Sequence, residues 1–224
     1  MMPLGRRLAG EGIGTGLLLA TIIGSGIMGE QLAQGNAAIA LLANTLATGA
    51  GLVALILAFG PISGAHFNPL VSLAEAWRGG MVWRDVPLYA CVQIIGAFAG
   101  AAAAHLMFGK PLFFASQQLR TGLPQAWSEV VATFGLLCVV LIVSKNRPPA
   151  VPFAVGCYIS AAYWFTSSTS FANPAVTLAR AASDTFAGIH PDHVAVFIAA
   201  QVVGAGLAVL IYRWWYPRHQ AAVR

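Results

Sequence analysis

Two isolated carboxyl groups are the first candidates for chemistry in this chain. Glu11 and Glu129 each begin a stretch without other charged residues. A carboxylate in apolar surroundings can relay protons in a coupled transporter, or it can accept hydrogen bonds from the backbone N–H groups of a nearby loop. Both alternatives require a second element that reaches the carboxylate, and that element must be found elsewhere in the sequence.

Two Asn-Pro pairs identify such an element. One pair is at 68–69 and the other at 173–174, and each follows Gly, Ser or Thr residues and precedes a short apolar segment. Asn is a good helix N-cap, and Pro is favoured at the first helical position. The pattern predicts helices over 69–77 and 174–182, each about 14 Å long, which is half the thickness of the hydrocarbon core.

The composition indicates that a membrane surrounds these elements. Of the 224 residues, 58% are hydrophobic and only 8% are charged, whereas a soluble domain carries about a quarter charged residues. This excludes an ordinary cytosolic enzyme, a disordered chain and a secreted disulfide scaffold. The three cysteines have no metal-ligand spacing, so we expect no metal and no cofactor.

Uncharged runs give the positions of the membrane spans. Runs of 18, 44, 24, 15, 32 and 20 residues separate the charges along the chain, and one transmembrane helix needs about 20 apolar residues. The runs of 44 and 32 residues are longer than one span requires, and the two short helices account for the excess. The sequence therefore predicts six spans, near 8–28, 39–59, 88–108, 127–144, 151–165 and 194–215.

The basic residues predict the orientation of these spans. The first span has some features of a cleaved signal peptide, but Glu11 lies early in it and no convincing cleavage site follows, so a retained span is favoured. With both termini on one side, that side has nine basic residues and the other has three. The positive-inside rule then places both termini in the cytoplasm, in a multi-pass protein of the cell (inner) membrane. The nine residues are Arg6, Arg7, Arg78, Arg84, Lys145, Arg147, Arg213, Arg218 and Arg224, and the three are Lys110, Arg120 and Arg180.

The chain repeats its own pattern. The two glutamates are 118 residues apart, the asparagines of the Asn-Pro pairs 105, and Gln93 and Gln201 are 108. Three spans in each half is an odd number, so the second copy must cross the membrane in the opposite direction. We therefore expect one transmembrane channel domain over 1–224, built from inverted repeats at about 1–118 and 119–224, with a solute site near the midplane.

The paired motifs resemble the aquaporin (major intrinsic protein) family. The residues that carry the resemblance are Ser-Gly-Ala-His-Phe-Asn-Pro at 63–69, Asn-Pro-Ala at 173–175, and the paired glutamates and glutamines. The resemblance covers essentially the whole chain. It implies an all-α membrane protein with six transmembrane helices and two re-entrant half-helices, one pore in each subunit, and a homotetramer.

The resemblance also implies roles for individual residues. The half-helix N-termini, each carrying about half a positive charge, would meet at the midplane and repel protons and cations, while the asparagine amides would donate hydrogen bonds to a neutral solute. His66 would line the cytoplasmic vestibule. The midplane residues would be Asn68, Pro69, Leu70, Asn173, Pro174 and Ala175, and the structural polar residues would be Glu11, Glu129, Gln93 and Gln201.

The selectivity filter departs from the family pattern. Counting from the Asn-Pro pairs places it at Thr48, Ala161, Ser170 and Val176. Because the loop before the second pair can be counted in more than one way, the alternatives are Ser160 and Thr169. Most members have Arg where this chain has Val176, and Leu70 replaces the usual Ala, for which we expect a small steric adjustment and no loss of the pore.

Small neutral filter residues predict a wide channel for neutral solutes larger than water. Polyols, urea and metalloid hydroxides are in this range. The two replacements also resemble a bacterial subgroup found in arsenic-resistance operons, whose channels conduct uncharged trivalent arsenite. The alternatives are a water-selective aquaporin and a proton-coupled secondary transporter that uses the two glutamates.

Other polar residues are expected to have structural roles. Arg180 and Asp184 are four residues apart, which predicts an ion pair on one helix face. His105 and Ser144 are isolated in the sequence, so we find no basis for an enzyme. The basic residues are explained by topology, and no nucleic-acid partner is expected.

Overall fold

The computed structural model describes residues 2–217 of the chain. Arg218 and Arg224, which the orientation argument counted as cytoplasmic, lie outside the described residues. Within 2–217 the chain forms eight α-helices joined by loops and short 3₁₀ turns. The helices are α1 (Leu4–Leu32), α2 (Ala37–Ser63), α3 (Pro69–Arg78), α4 (Val86–Met107), α5 (Leu123–Asn146), α6 (Val151–Phe165), α7 (Pro174–Ala181) and α8 (Val194–Trp215).

The long helices have the length and composition of membrane spans. Five helical segments of the described chain are long and apolar enough to cross a bilayer, and these contain α1, α2, α4, α5 and α8. The sixth predicted span is α6, which has 15 residues and is therefore only about 22 Å long. It takes its place in the bundle by packing against α2 and α5. The predicted all-helical fold is confirmed.

The two half-helices begin where the Asn-Pro pairs predicted. Asn68 is the N-cap of α3 and Asn173 is the N-cap of α7, each followed by Pro at the first helical position. Their ends, Arg78 and Ala181, differ by one residue from the predicted ends. α3 stops because Gly79 adopts a left-handed conformation with φ 91°, which Gly enters without steric cost.

The order of two long helices, a half-helix and a third long helix occurs twice along the chain. In the first half α1 packs against α2 and α4, and in the second half α5 packs against α6 and α8. Contacts between α2 and α6 and between α3 and α7 join the halves. The internal repeat is thus visible in the packing, while the boundary between residues 118 and 119 stays a prediction.

The bundle has two ends that differ in their polar contacts. At the end where α1 begins and α8 ends, which we call the inner end as a label only, Arg7 forms an ion pair with Asp85 at 3.2 Å, and Arg78 Nη1 donates to Ser144 Oγ at 3.1 Å. At the outer end, the loop 109–122 pairs with the chain that follows α7, where the Ser116 N–H donates to the Ala181 carbonyl at 3.0 Å. The long helices run between these ends and expose apolar residues such as Leu46, Ile95 and Leu210.

Glycines allow the central helices to pack closely. α1 and α4 touch through their backbones, where a Cβ on Gly96 would overlap the Gly12 carbonyl and one on Gly100 would overlap the Gly16 carbonyl. In the second half, a Cβ on Gly204 would overlap the Val130 carbonyl of α5. Small residues at such crossings let helices approach in a membrane, where no hydrophobic effect drives them together.

Gly100→Ala should destabilise the fold. The added methyl group has no space against the α1 backbone, and overpacking of this kind costs about 1–3 kcal/mol or more. We expect a lower melting temperature and less monodisperse protein in detergent, measured by thermal unfolding and size-exclusion chromatography. The matched control is Gly206→Ala, where the new Cβ meets no atom within 4 Å; equal melting temperatures for the two variants would contradict the packing argument.

Candidate functional site

The N-termini of the half-helices meet inside the bundle. Asn68 Nδ2 donates to the Ala172 carbonyl at 2.8 Å, and Asn173 Nδ2 donates to the Phe67 carbonyl at 2.7 Å. Each asparagine thus binds the loop that leads into the opposite half-helix. Because an amide nitrogen carries two N–H donors, each asparagine keeps a second donor for a solute. Asn68 and Asn173 both line the internal cavity.

The asparagine oxygens hold the half-helices at the same time. Asn68 Oδ1 accepts a hydrogen bond from the Leu70 N–H at 2.9 Å, and Asn173 Oδ1 accepts from the Ala175 N–H at 3.0 Å. These bonds satisfy N–H groups that the first helical turn leaves free. The capping bond therefore fixes the orientation of each asparagine side chain. In this orientation its NH2 group donates to the loop of the opposite half.

The loops before the asparagines have a left-handed backbone at matching positions. Ala65 and Phe67 have φ of 51° and 50°, and Ser170 and Ala172 have φ of 50° and 49°. Residues with a Cβ rarely adopt these angles, which cost about 1–3 kcal/mol each unless the surroundings impose them. Each loop must therefore be held by contacts from outside it.

Glu11 provides those contacts in the first half of the chain. Its Oε1 accepts from the His66 N–H at 3.0 Å and from Ser63 Oγ at 2.7 Å, and its Oε2 accepts from the Phe67 N–H at 2.8 Å. Gln93 Nε2 donates to the same Oε2 at 2.8 Å. Glu11 is completely buried, so four donors from three elements converge on one carboxylate.

Glu129 makes the same arrangement in the second half. Its Oε1 accepts from the Phe171 N–H at 2.9 Å and from Ser168 Oγ at 2.6 Å, and its Oε2 accepts from the Ala172 N–H at 2.9 Å. Gln201 Nε2 donates to this oxygen at 2.7 Å. Both oxygens of each carboxylate are occupied by fixed donors. This geometry favours a role in holding the loop backbone over a role as a proton relay.

An internal cavity of about 220 Å³ passes the meeting point of the half-helices. Its lining combines aliphatic side chains, residues of the two left-handed loops, both asparagines and the charged residues Glu75, Arg78 and Arg180. The cavity therefore presents both hydrogen-bonding groups and hydrocarbon surface. The aliphatic residues are Leu18, Ile22, Leu52, Ile56, Val71, Leu136, Val140, Val151, Val155, Ile159 and Val176.

Three of the four predicted filter residues line this cavity, and the fourth does not. Thr48, Ser170 and Val176 lie on its wall. Ala161 is on the exposed face of α6, and Tyr163 lines the cavity in its place, with its hydroxyl donating to Thr48 Oγ1 at 3.4 Å. Residues two apart on a helix point to nearly opposite faces, so an error of two positions in the loop count explains the misplacement of Ala161.

The remaining predicted residues divide between the cavity and its support. His66 lines the cavity, and its Nδ1 lies 3.0 Å from Ser72 Oγ. Leu70 is 5% exposed and packs in the hydrophobic core, consistent with a residue behind the asparagine. The others, outside the cavity wall, are Pro69, Pro174, Ala175, Glu11, Glu129, Gln93 and Gln201.

Arg180 does not pair with Asp184, so this sequence prediction is wrong. Asp184 Oδ1 accepts from the Gln117 N–H at 2.9 Å, and Arg180 Nε donates to the Ala187 carbonyl. The reason is that α7 ends at Ala181, so Asp184 is beyond the helix and does not share its periodicity. Arg180 instead lines the cavity, a position that the sequence analysis missed.

Arg120 fastens the second re-entrant loop from the outer side. Its Nη1 donates to the Ser168 carbonyl at 3.1 Å and its Nε to the Gly188 carbonyl at 2.8 Å. Burial lowers the pKa of Arg120 from its ordinary value, while the nearby Glu129 raises it. The loop 109–122 thus ties together the two segments that flank α7.

His105 is not isolated, contrary to the sequence analysis. Its Nε2 lies 2.8 Å from Ser183 Oγ and its Nδ1 2.6 Å from the Leu112 carbonyl. Both His105 and Ser183 have no exposed surface. The buried histidine joins α4 to the loop 109–122 and to the segment that follows α7.

Comparison with known proteins places the chain in a family. The family model described as "Major intrinsic protein" matches residues 2–169. A curated relative, "Aquaglyceroporin AqpS" of Rhizobium meliloti (strain 1021), is 51% identical over 211 residues, which cover 94% of this chain and 90% of the relative. "Aquaporin Z" of Bradyrhizobium diazoefficiens is 28% identical over 93% of this chain and 92% of its own.

A solved structure supports the fold independently. The X-ray structure of the aquaglyceroporin from Plasmodium falciparum has a TM-score of 0.72 and covers 97% of both chains, at 20% sequence identity. At that identity the likeness concerns the fold alone. The family match and the half-identical relative are sufficient for membership, and the chain belongs to the major intrinsic protein family.

Proposed function

We propose that the chain is a passive transmembrane channel for small uncharged solutes, including glycerol, urea and trivalent arsenite, and that it also passes water. The observation that carries the proposal is the mixed lining of the cavity, which combines aliphatic side chains with the paired asparagines and the two left-handed loops. A small polyol or a metalloid hydroxide has both apolar and hydroxyl surface to match it. Two half-helix N-termini at the midplane supply the barrier to protons.

The filter residues favour solutes larger than water. Thr48 and Val176 are small and neutral, and they border the same cavity as Tyr163. The relative at 51% identity is named an aquaglyceroporin, which agrees with this direction. Arsenite is included because As(OH)3 is uncharged at neutral pH and similar in shape to a small polyol.

A coupled transporter is the alternative that the glutamates first suggested. Its proton relay would require Glu11 or Glu129 to exchange a proton with the transport path. Both carboxylates lie outside the cavity wall and bind four donors each. The proposal therefore assigns the two groups to the scaffold.

We further propose a homotetramer in the inner membrane with both termini in the cytoplasm. The basic residues counted for the cytoplasmic side include Arg7 and Arg78, which lie at the inner end of the bundle, while Arg120 lies at the outer end. Apolar residues on the outer faces of the long helices are available to lipid and to neighbouring subunits. The tetramer follows from the family resemblance.

The central experiment measures permeability for each solute separately. Purified protein is reconstituted into vesicles, and stopped-flow light scattering follows swelling in gradients of glycerol, urea or no permeant solute, while arsenite uptake is measured chemically. The proposal expects flux above that of empty vesicles for all three solutes, in proportion to the gradient and insensitive to a protonophore. Flux of water alone would instead support a water-selective aquaporin.

Val176→Arg should reduce the flux of glycerol by at least about tenfold, since the long, charged side chain occupies cavity space that the solute needs. Water flux should fall less, because water is smaller. The measurement is the glycerol-to-water permeability ratio in vesicles. Val176→Leu is the matched control for bulk without charge, and a glycerol flux in Val176→Arg equal to that of the original protein would contradict the predicted filter position.

Glu11→Gln should lower the thermal stability of the protein. Solute flux through the folded variant should remain independent of the proton gradient, as in the original protein. The new amide places an NH2 group among four donors, and a buried donor left unpaired costs about 1–3 kcal/mol. We expect a lower melting temperature and, for the folded fraction, solute flux that still ignores a pH gradient. Glu30→Gln, at an exposed position, is the control for loss of charge. Loss of pH-driven solute accumulation in the variant would instead indicate a transporter.

A further inference from the structure

The outer part of the cavity contains a cation that the filter sequence does not predict. Arg180 lies in the last turn of α7, four residues after Val176, and lines the same cavity. Residues four apart share a helix face, so Arg180 is about 6 Å farther along the wall than Val176. The arginine missing at position 176 therefore has a counterpart one turn farther out.

The contacts of Arg180 fix its side chain. Nε donates to the Ala187 carbonyl, and Cζ lies 3.3 Å from the centroid of the Phe171 ring. Phe171 is in turn held by an edge contact with Phe197 at 5.2 Å. A guanidinium has five N–H donors, and the Ala187 contact uses one of them. The remaining donors belong to the two terminal nitrogens of a residue that borders the cavity.

Arg180 forms no ion pair in the described part of the chain, and the acid that acts on it electrostatically is Glu129, whose oxygens are bound by four donors. Within residues 2–217 the ion pairs involve Arg7, Arg78, Arg84 and His190, and none involves Arg180. Arg120 adds a second guanidinium, 5.1 Å from the centroid of the same Phe171 ring. The carboxylate of Asp184 is bound to a backbone N–H of the outer loop. Two guanidinium groups near one carboxylate leave a net positive charge around Phe171.

Ser170 supplies the second part of a binding site. It is 3% exposed and borders the cavity. Its Oγ is buried and has no hydrogen-bond partner in the described part of the chain. Leaving such a hydroxyl unpaired costs about 1–3 kcal/mol, so a molecule in the cavity gains by supplying the missing bond. Ser170 also adjoins Phe171, on whose ring Arg180 rests.

We propose that Arg180 and Ser170 form an outer binding site for uncharged molecules with several hydroxyl groups, and that Arg180 makes this part of the channel selective against cations. The guanidinium donates to one solute oxygen and the serine hydroxyl bonds a second one. A monovalent cation finds a fixed positive charge at the same place. The inference rests on the proposed channel function and names the residues that determine its specificity.

The test compares two fluxes in the same reconstituted vesicles. Glycerol flux is followed by light scattering, and K⁺ leak by a potassium-sensitive dye inside the vesicles. In Arg180→Gln we expect the K⁺ leak to rise by at least about tenfold. Adding Val176→Arg to this variant returns a guanidinium one turn inward, and the leak should return to that of the original protein. Lys110→Gln, which removes a charge from the outer loop, is the control and should leave both fluxes unchanged.

Two results would overturn the inference. One is folded Arg180→Gln protein with the K⁺ leak of the original protein. If Arg180→Gln does not fold, Ser170→Ala decides, and we expect its glycerol-to-water permeability ratio to fall at least about threefold; an unchanged ratio then overturns the site. Failure of the channel proposal is distinguishable, because the original protein would then pass no more glycerol or urea than empty vesicles.

Discussion

Backbone that enters the hydrocarbon without helical structure must find its hydrogen-bond partners within the protein, since no water is present to supply them. In this chain Glu11 and Glu129 meet that constraint by accepting the N–H groups of two left-handed loops. Each loop also offers a carbonyl to the opposite half of the chain, since the Ala172 and Phe67 carbonyls accept from the asparagine amides. The two buried carboxylates thus hold the loops from which the half-helices begin.

The same constraint explains why the two halves match so closely in the core. Each loop is held by a glutamate, a serine and a glutamine, and each glutamine also contacts a hydroxyl in the neighbouring half-helix, Ser72 or Thr177. Removing any member would leave a buried donor or acceptor without a partner. The asparagines then join the two networks across the midplane. The two halves of the chain thus match in the buried network, where a polar group without a partner would cost the most free energy.

Features of this site that depend on local pattern could be predicted from the sequence. Asn-Pro pairs determine where the half-helices begin, and uncharged runs determine the spans, because capping and apolar length act over a few neighbouring residues. Ala161 was misplaced since its face depends on where α6 ends. Arg180 was missed because pairing with Asp184 assumes a helix that continues past Ala181. The bond from Arg120 to the Ser168 carbonyl joins residues 48 apart, and no local signal predicts it.

Most family members have an arginine at position 176, whereas this chain has its arginine at position 180. The two properties that one arginine would combine at position 176, side-chain bulk and positive charge, are therefore assigned to different residues. An arginine at position 176 would add charge and bulk together, so it would exclude large solutes as well as cations. In this chain the neutral Val176 and Tyr163 border the cavity, and the guanidinium of Arg180 is held against Phe171 one turn after Val176. A fixed charge repels ions over several ångströms, whereas steric exclusion needs contact. In the proposed site, rejection of cations therefore does not depend on an arginine at position 176.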